Sequence, residues 1–391
     1  MTRVPKGRKQ KKRFARARIC LNMIVRDEQD NLAPCLDTVL HLIDAFAIID
    51  TGSVDNTIAV IREIMSAHGI PGEVISRPWK DFGHNRTEAL LHAEAVIEKL
   101  DPKGKNVWYA MFMDADNRAS GNDDQSEFPI DKQSLIHDCY DVEMRTGGAY
   151  YPYVWMVRID PSKKWNWFYP RHEYIAPEGN WTPTRDMLTG GYIDRSCAGY
   201  RSRNKHVFLE DALELLKLLK ENPDDPRAVF YSAQSFRDAD LPDLARVLYQ
   251  RRATMGGWTQ EVYESLLHLG RTRFNQGDYG PETVDILLDA FEKCPQRLDA
   301  PFCLVRMWRL QGRFHIAWNF ARGLLDVVPP KDALFMNREV HEWGFFEEAG
   351  LCAYYAGDRV SFQKLMKRVL KVKNLPPDAR ERTQKNLEDF G

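Results

Sequence analysis

The stretch MFMDADNRAS, residues 111–120, ends an apolar run with two aspartates one residue apart, Asp114 and Asp116. Aspartate is common in turns and at helix starts, so a lone D-x-D is as readily a pair of capping side chains as a metal site. A further aspartate, Asp50, closes another apolar run, AFAIID. Carboxylates gathered in one crevice repel one another unless a cation or a proton sits among them.

The surrounding pattern says how three such aspartates can meet. ICLNMIV (19–25) is a short apolar run, and Leu32, Leu36, Val39, Leu40 and Ile43 then recur at helical spacing. A strand at 45–49, a Gly-Ser turn and a helix opening at Asp55 or Asn56 repeat the theme. EVISRPW reads as a third strand, HNRTEALLHAEAVIEKL as a third helix and VWYAMFM as a fourth strand. Strands alternating with helices predict a mostly parallel α/β sheet covered by helices, with ligands at the carboxyl ends of the strands. Asp50, Asp114 and Asp116 all fall at such ends.

After residue 205 the texture becomes that of helix pairs broken by polar turns: RDADLPD near 240, NQGDYG near 277, LQGRF near 312 and YAGDR near 357. That period matches helix-turn-helix solenoids, and an all-α helical-repeat domain is expected. The reading divides the chain into a basic tail (1–17), an α/β domain (18–205) and helical repeats (206–391).

The chain has 391 residues, 43% of them hydrophobic, which suits a globular protein of two or more domains. No run approaches the length of a membrane-spanning helix and the N-terminus lacks the apolar core of a signal peptide, so a cytoplasmic location is expected. Seven cysteines without C-x-x-C spacing suggest neither a zinc ribbon nor a disulfide framework, and read as core filler. Residues 1–18 hold nine Lys or Arg and no acid, leaving 46 basic against 56 acidic side chains in the rest. Such a tail is a solvated arm or a contact for nucleic acid, an acidic partner or a membrane surface.

Together, ICLNMIVRDEQDNLAPCLDTV, AIIDTGSVDNT, WKDFGHNRTEAL and MFMDADN resemble the donor-binding half of a family 2 glycosyltransferase of the GT-A fold, which is Rossmann-like. KHVFLEDALELLKLLKENPDDPRAVFYSAQSF and YQRRATMGGWTQEVYESLLHLG resemble the branch that adds tetratricopeptide-like helices. The resemblance implies a UDP-sugar or related nucleotide-diphospho donor and a Mn2+ or Mg2+ ion. Asp116 would ligate the metal, Asp114 would face the ribose or the metal's waters, Asp50 would accept a hydrogen bond from the base, and Arg86 would reach a phosphate. His206 would complete the metal site. Glu173, in YPRHEYI, would be the general base of an inverting transfer, with His172 as the fallback. The pattern departs from many relatives at Asn117, where a further acid is usual and which therefore cannot act as a base.

The aromatic segment KKWNWFYPRHE reads as an acceptor loop in which Trp165 or Trp167 stacks on a sugar or a base. The acceptor is left open between a protein or peptide, which suits helical repeats, and a hydroxymethylated base in DNA, which suits the basic tail. Two other readings stand beside the transferase: a non-catalytic scaffold that binds protein partners, and a nucleotidyltransferase, for which NMIVRDEQDN lacks the expected glycines.

Overall fold

The computed structural model describes residues 16–123, 126–146, 149–195, 206–330 and 333–390, so most of the basic tail lies outside the described residues. The chain forms two compact units. Met1–Val142 with Tyr153–Tyr200 make the first, and Glu143–Pro152 with Arg201–Gly391 make the second. Residues 143–152, expected within the α/β domain, therefore group with the helices. No described helix is long and apolar enough to cross a membrane.

The first unit opens with the expected alternation: β1 (Arg18–Val25), α1 (Gln29–Asp37), β2 (Ala45–Asp50), α2 (Thr57–Ala67), β3 (Gly72–Ser76), α3 (Phe82–Leu100) and β4 (Trp108–Phe112). β1 is buried on both faces from Ile19 to Met23, as a parallel strand covered by helices must be. Asn22 is the polar exception. Its amide donates to Ala47 O at 3.0 Å and Ala89 O at 2.7 Å, tying β1 to β2 and α3. The strands β3-β2-β1-β4 pair in parallel, with Asp50 level with both Val25 and Ser76. Three loops thus leave the sheet at one edge.

Beyond β4 the sheet turns antiparallel. β5 (Asn117–Gly121), β6 (Cys139–Thr146), β7 (Ala149–Ile159) and β10 (Arg185–Arg195) extend it in the order β4-β7-β6-β10-β5. β8 (Trp165–Phe168) and β9 (Tyr174–Pro177) form a separate hairpin. The six described cysteines are free and buried, as core filler should be.

In the second unit α4 (Val207–Glu221) leads into the pairs α5 (Pro226–Asp238) with α6 (Pro242–Thr254), α7 (Thr259–Asn275) with α8 (Pro281–Lys293), and α9 (Asp299–Leu310) with α10 (Phe314–Ala321). After the short strand β11 (Met336–Asn337) come α11 (Phe345–Tyr355), α12 (Arg359–Leu370) and α13 (Pro377–Phe390). Each turn inside a pair reverses through one left-handed residue: Asp240 (φ 59°), Gly277 (80°), Gly312 (72°) and Gly357 (91°). This is the usual way to end a helix, and glycine is its least strained occupant. The longer spacing before the last pair reflects an excursion between α10 and α11.

That excursion is held by charge. The side chain of Arg297, fully buried, reaches Glu264 at 2.7 Å, Asp299 at 3.1 Å and the carbonyl of Leu334 at 2.8 Å. Gln260 accepts from Leu334 N, while Asp299 accepts from Asn337 N and pairs with His341 at 3.1 Å. Leu334 and Phe335 enter the core formed by Phe230, Tyr231 and Tyr249, and Phe335 packs edge-on against Tyr151. Met336 and Asn337 pair with Tyr150 and Ala149 of β7. Burial acts to raise the pKa of Asp299, but the charge of Arg297 and the bond from His341 hold it well below the usual carboxylate range. Asp299→Ala leaves Arg297 partly uncompensated and should destabilise the protein by roughly 3–5 kcal/mol. Urea unfolding reads that change, and a loss below about 1 kcal/mol would mean the network is not what holds the excursion.

Candidate functional site

The loops that follow β1 and β2 are laced together. Asp27 N donates to Ser53 Oγ at 2.9 Å, Glu28 N to Thr57 Oγ1 at 2.8 Å, and Gln29 N to Asp55 at 3.2 Å. In return Val54 N donates to Asp27 at 2.7 Å and Asn56 N to Gln29 at 3.0 Å. Asp27 adopts a left-handed φ of 51° to do so. Asp50 lies beneath this lacing, 2% exposed, and its carboxylate accepts from Gly52 N and Ser53 N. It therefore fixes the turn, and a direct contact with a base would have to be made by a side chain that is almost fully covered.

The D-x-D forms the turn between β4 and β5. Asn117 N donates back to Asp114 O at 3.0 Å, Cys35 Sγ to the same carbonyl at 3.3 Å, and Arg118 to the carbonyls of Ala115 and Asn117. Asp114 and Asp116 are both partly exposed, so the turn presents two carboxylates. Asn117, by contrast, is buried, and its Oδ1 has no hydrogen-bond partner among the described residues.

Arg86 organises what lies beside them. It rises from the second turn of α3, whose start is capped by Asp81 accepting from His84 N. Its side chain is 6% exposed, with Nη2 donating to Asp114 Oδ1 at 2.6 Å and Nε to Glu173 Oε1 at 2.7 Å. Trp167 lies against the guanidinium, 5.2 Å from ring centre to Cζ. Burial works against the charge of Arg86, but the two carboxylates outweigh it and push its pKa up. Burial likewise acts to raise the pKa of Asp114, while Arg86 and Arg195 bring it below the ordinary value. Asp114 thus stays ionised at neutral pH.

Glu173 is set by the loop between β8 and β9. Tyr169 and His172 both take left-handed φ values, 73° and 51°, which are uncommon for side chains of this size. The loop leans on the start of α3, where Phe82 N donates to Pro170 O. A Cβ on Gly83 would lie 2.6 Å from the Tyr169 carbonyl, so only glycine allows this approach. His172 is half-buried in the same loop.

Several expectations change. Trp165 and Trp167 are 7% and 4% exposed and pack with Leu90, Phe112, Val157 and Ile175, so neither is a stacking platform. Their alternation along β8 puts both on the core side, and the hairpin's exposed aromatic is Tyr174 instead. Arg86, expected to reach a phosphate, has its two nearest bonds on carboxylates. His206, exposed before α4, belongs to the second unit. Among the described residues no group of three or more His, Cys, Asp or Glu is arranged to hold a metal ion.

Sequence reasoning missed Arg195, which ends β10 opposite Asn117 and whose charge acts on Asp114. Its only signal is a basic residue closing YIDR, in a segment that the sequence reading does not assign to a strand.

Residues 20–126 match the model of glycosyl transferase family 2. A TPR repeat-containing protein of Synechococcus elongatus is 25% identical over 339 residues, covering 81% of this chain and 77% of that relative. Solved structures similar to the chain include a thermophilic TPR protein of Thermus thermophilus, at 16% identity and a TM-score of 0.31, covering 46% of this chain and 91% of that one. The C-terminal part of a TPR repeat-containing protein from Cytophaga hutchinsonii has 17% identity and a TM-score of 0.36, covering 48% and 68%. The matched segment runs from β1 through the D-x-D turn and β5, and the paired helices follow it: the chain carries a glycosyl transferase family 2 domain joined to tetratricopeptide-like helices.

Proposed function

We propose that the chain transfers a glycosyl group from a nucleotide-diphospho donor, with UDP as the nucleotide, to a hydroxyl acceptor with inversion at the anomeric carbon. The observation that carries this reading is the Arg86 bridge. It gathers the D-x-D and Glu173 at the carboxyl-end rim of a family 2 sheet and takes one oxygen from each of Asp114 and Glu173. The other oxygen of each, Asp114 Oδ2 and Glu173 Oε2, accepts no hydrogen bond among the described residues.

The residues present fit a divalent ion. Asp114 and Asp116 offer hard carboxylate oxygens on one partly exposed turn, and Mg2+ or Mn2+ needs no more than one or two of these when donor phosphates supply the rest. Bound there, the ion would neutralise charge on the departing diphosphate. Arg195 would add a cation beside it, Asp50 would shape the base contact through the Gly52–Ser53 turn, and Glu173 Oε2 would take the acceptor's proton. Helical repeats suit an extended peptide acceptor. A hydroxymethylated base in DNA is the second reading, favoured because Gln260, Arg297 and Asp299 already hold residues 334–337 of the chain itself.

Excess EDTA should abolish donor hydrolysis and transfer, with Mn2+ restoring both. Asp116→Ala should lose most turnover and unfold normally. A screen of nucleotide sugars by metal-dependent hydrolysis identifies the donor in the same assay, and turnover that persists in chelator would remove the ion from the reading.

Glu173→Gln should lower transfer by roughly 10²–10⁴ while donor affinity holds. Gly83→Ala, which displaces the loop that carries Glu173, should lower turnover in the same direction without weakening the donor. Steady-state kinetics with donor and acceptor varied separately checks both, and near-native turnover in Glu173→Gln would move the base elsewhere.

A further inference from the structure

α12 carries positive charge that its surroundings do not balance. From Arg359 to Lys373 there are six Lys or Arg and no Asp or Glu. Phe362, Leu365, Met366 and Val369 point into the core, leaving Lys364, Lys367, Lys371 and Lys373 exposed. None of these four lysines makes an ion pair among the described residues. Residues three and four apart are neighbours on a helix, and here Lys364, Lys367, Arg368 and Lys371 are cations at those spacings, so the stripe repels itself.

Two ordinary explanations fall short. Cations are favoured at a helix C-terminus by the dipole. However, Arg380 already donates to the carbonyls of Leu370 and Val372 at 3.0 and 3.1 Å. Arg359 stands at the opposite end, where the dipole disfavours it. A merely solvated helix mixes signs, as α13 does with Asp378, Arg380, Glu381, Arg382, Lys385 and Glu388.

We propose that this face of α12 binds the phosphate backbone of a nucleic acid. Lys364 to Lys371 spans about 10 Å of helix axis, the rise of about three phosphates along one duplex strand. An anionic membrane offers similar charge, but helices that lie in a bilayer interface flank their cations with exposed apolar side chains. On α12 those side chains are in the core, and of its apolar residues only Val360 is exposed. The inference concerns binding and does not rest on the transfer chemistry.

The test compares the full chain with Lys364→Gln/Lys367→Gln/Lys371→Gln/Lys373→Gln, all exposed positions. Fluorescence anisotropy is read with labelled single-stranded and duplex DNA over a salt series from about 25 to 200 mM. The full chain should bind, with log K falling linearly in log salt. The variant should bind at least about tenfold more weakly at low salt, with a slope smaller by about 2 to 4, because each phosphate contact contributes about 0.9. Its unfolding midpoint should not fall, because removing like charges relieves the repulsion within the stripe, and its donor hydrolysis should be unchanged. Hydrolysis is a separate readout, so a failure of the transferase reading would be seen apart from this one. Equal affinity and slope for the two proteins would assign binding elsewhere, to the N-terminal tail for instance, and overturn the proposal. No binding even at about 25 mM salt, or tighter binding to phosphatidylserine vesicles than to DNA, would overturn it as well.

Discussion

A guanidinium buried between two carboxylates is the interaction on which the candidate site depends. Taking a charge out of water is costly, and removing one partner of such a group leaves the others uncompensated. Arg86 is tolerable inside the protein because Asp114 and Glu173 meet it from different elements. The requirement runs both ways. α3 must start where Asp81 caps it, β4 must end where its turn presents Asp114, and the β8–β9 loop must accept two left-handed residues to bring Glu173 within reach. Lysine could neutralise either carboxylate, but only a forked planar cation can engage both while lying against an indole.

Much of this rim was legible in the sequence because it is local. An apolar run followed by Asp is a strand end in any α/β pattern, and Asp50, Asp114 and Asp116 were placed by that rule alone. What was not legible is which partner each side chain takes. Arg86 and Glu173 are 87 residues apart, and no local pattern says that they touch. Trp165 and Trp167 show the same limit from the other side. WNWF alternates, and alternation says that both indoles share a face, but not whether that face meets solvent or Leu90 and Val157.

The helical unit was legible for a different reason. Its turns repeat one backbone device, and NQGD, LQGR and YAGD each announce a left-handed residue after a helix, with Asp240 standing in for glycine in the RDADLPD turn. The antiparallel half of the sheet and the excursion around residue 336 were not. Strand β10 pairs with β6 and β5, both distant in sequence, and residues 333–337 show neither helical nor alternating periodicity. They are ordered by Gln260, Arg297 and Asp299, which bind their backbone groups and so leave no mark in the identity of the residues bound.

That backbone capture bears on how tetratricopeptide-like helices can serve a transferase. Repeat arrays bind extended chains on the concave surface that their stacked repeats create. Here Gln260, Arg297 and Asp299 already hold an extended main chain of the protein itself, and a peptide that used them would have to displace buried Leu334 and Met336 together with the charge-assisted bond to Arg297. Hydrogen bonds to ionised groups are about twice as strong as neutral ones, so this exchange is uphill for a weakly held substrate. A macromolecular partner of the helices is then more easily met on outward-facing side chains that are not already engaged, and the lysines of α12, which make no ion pair among the described residues, are such side chains.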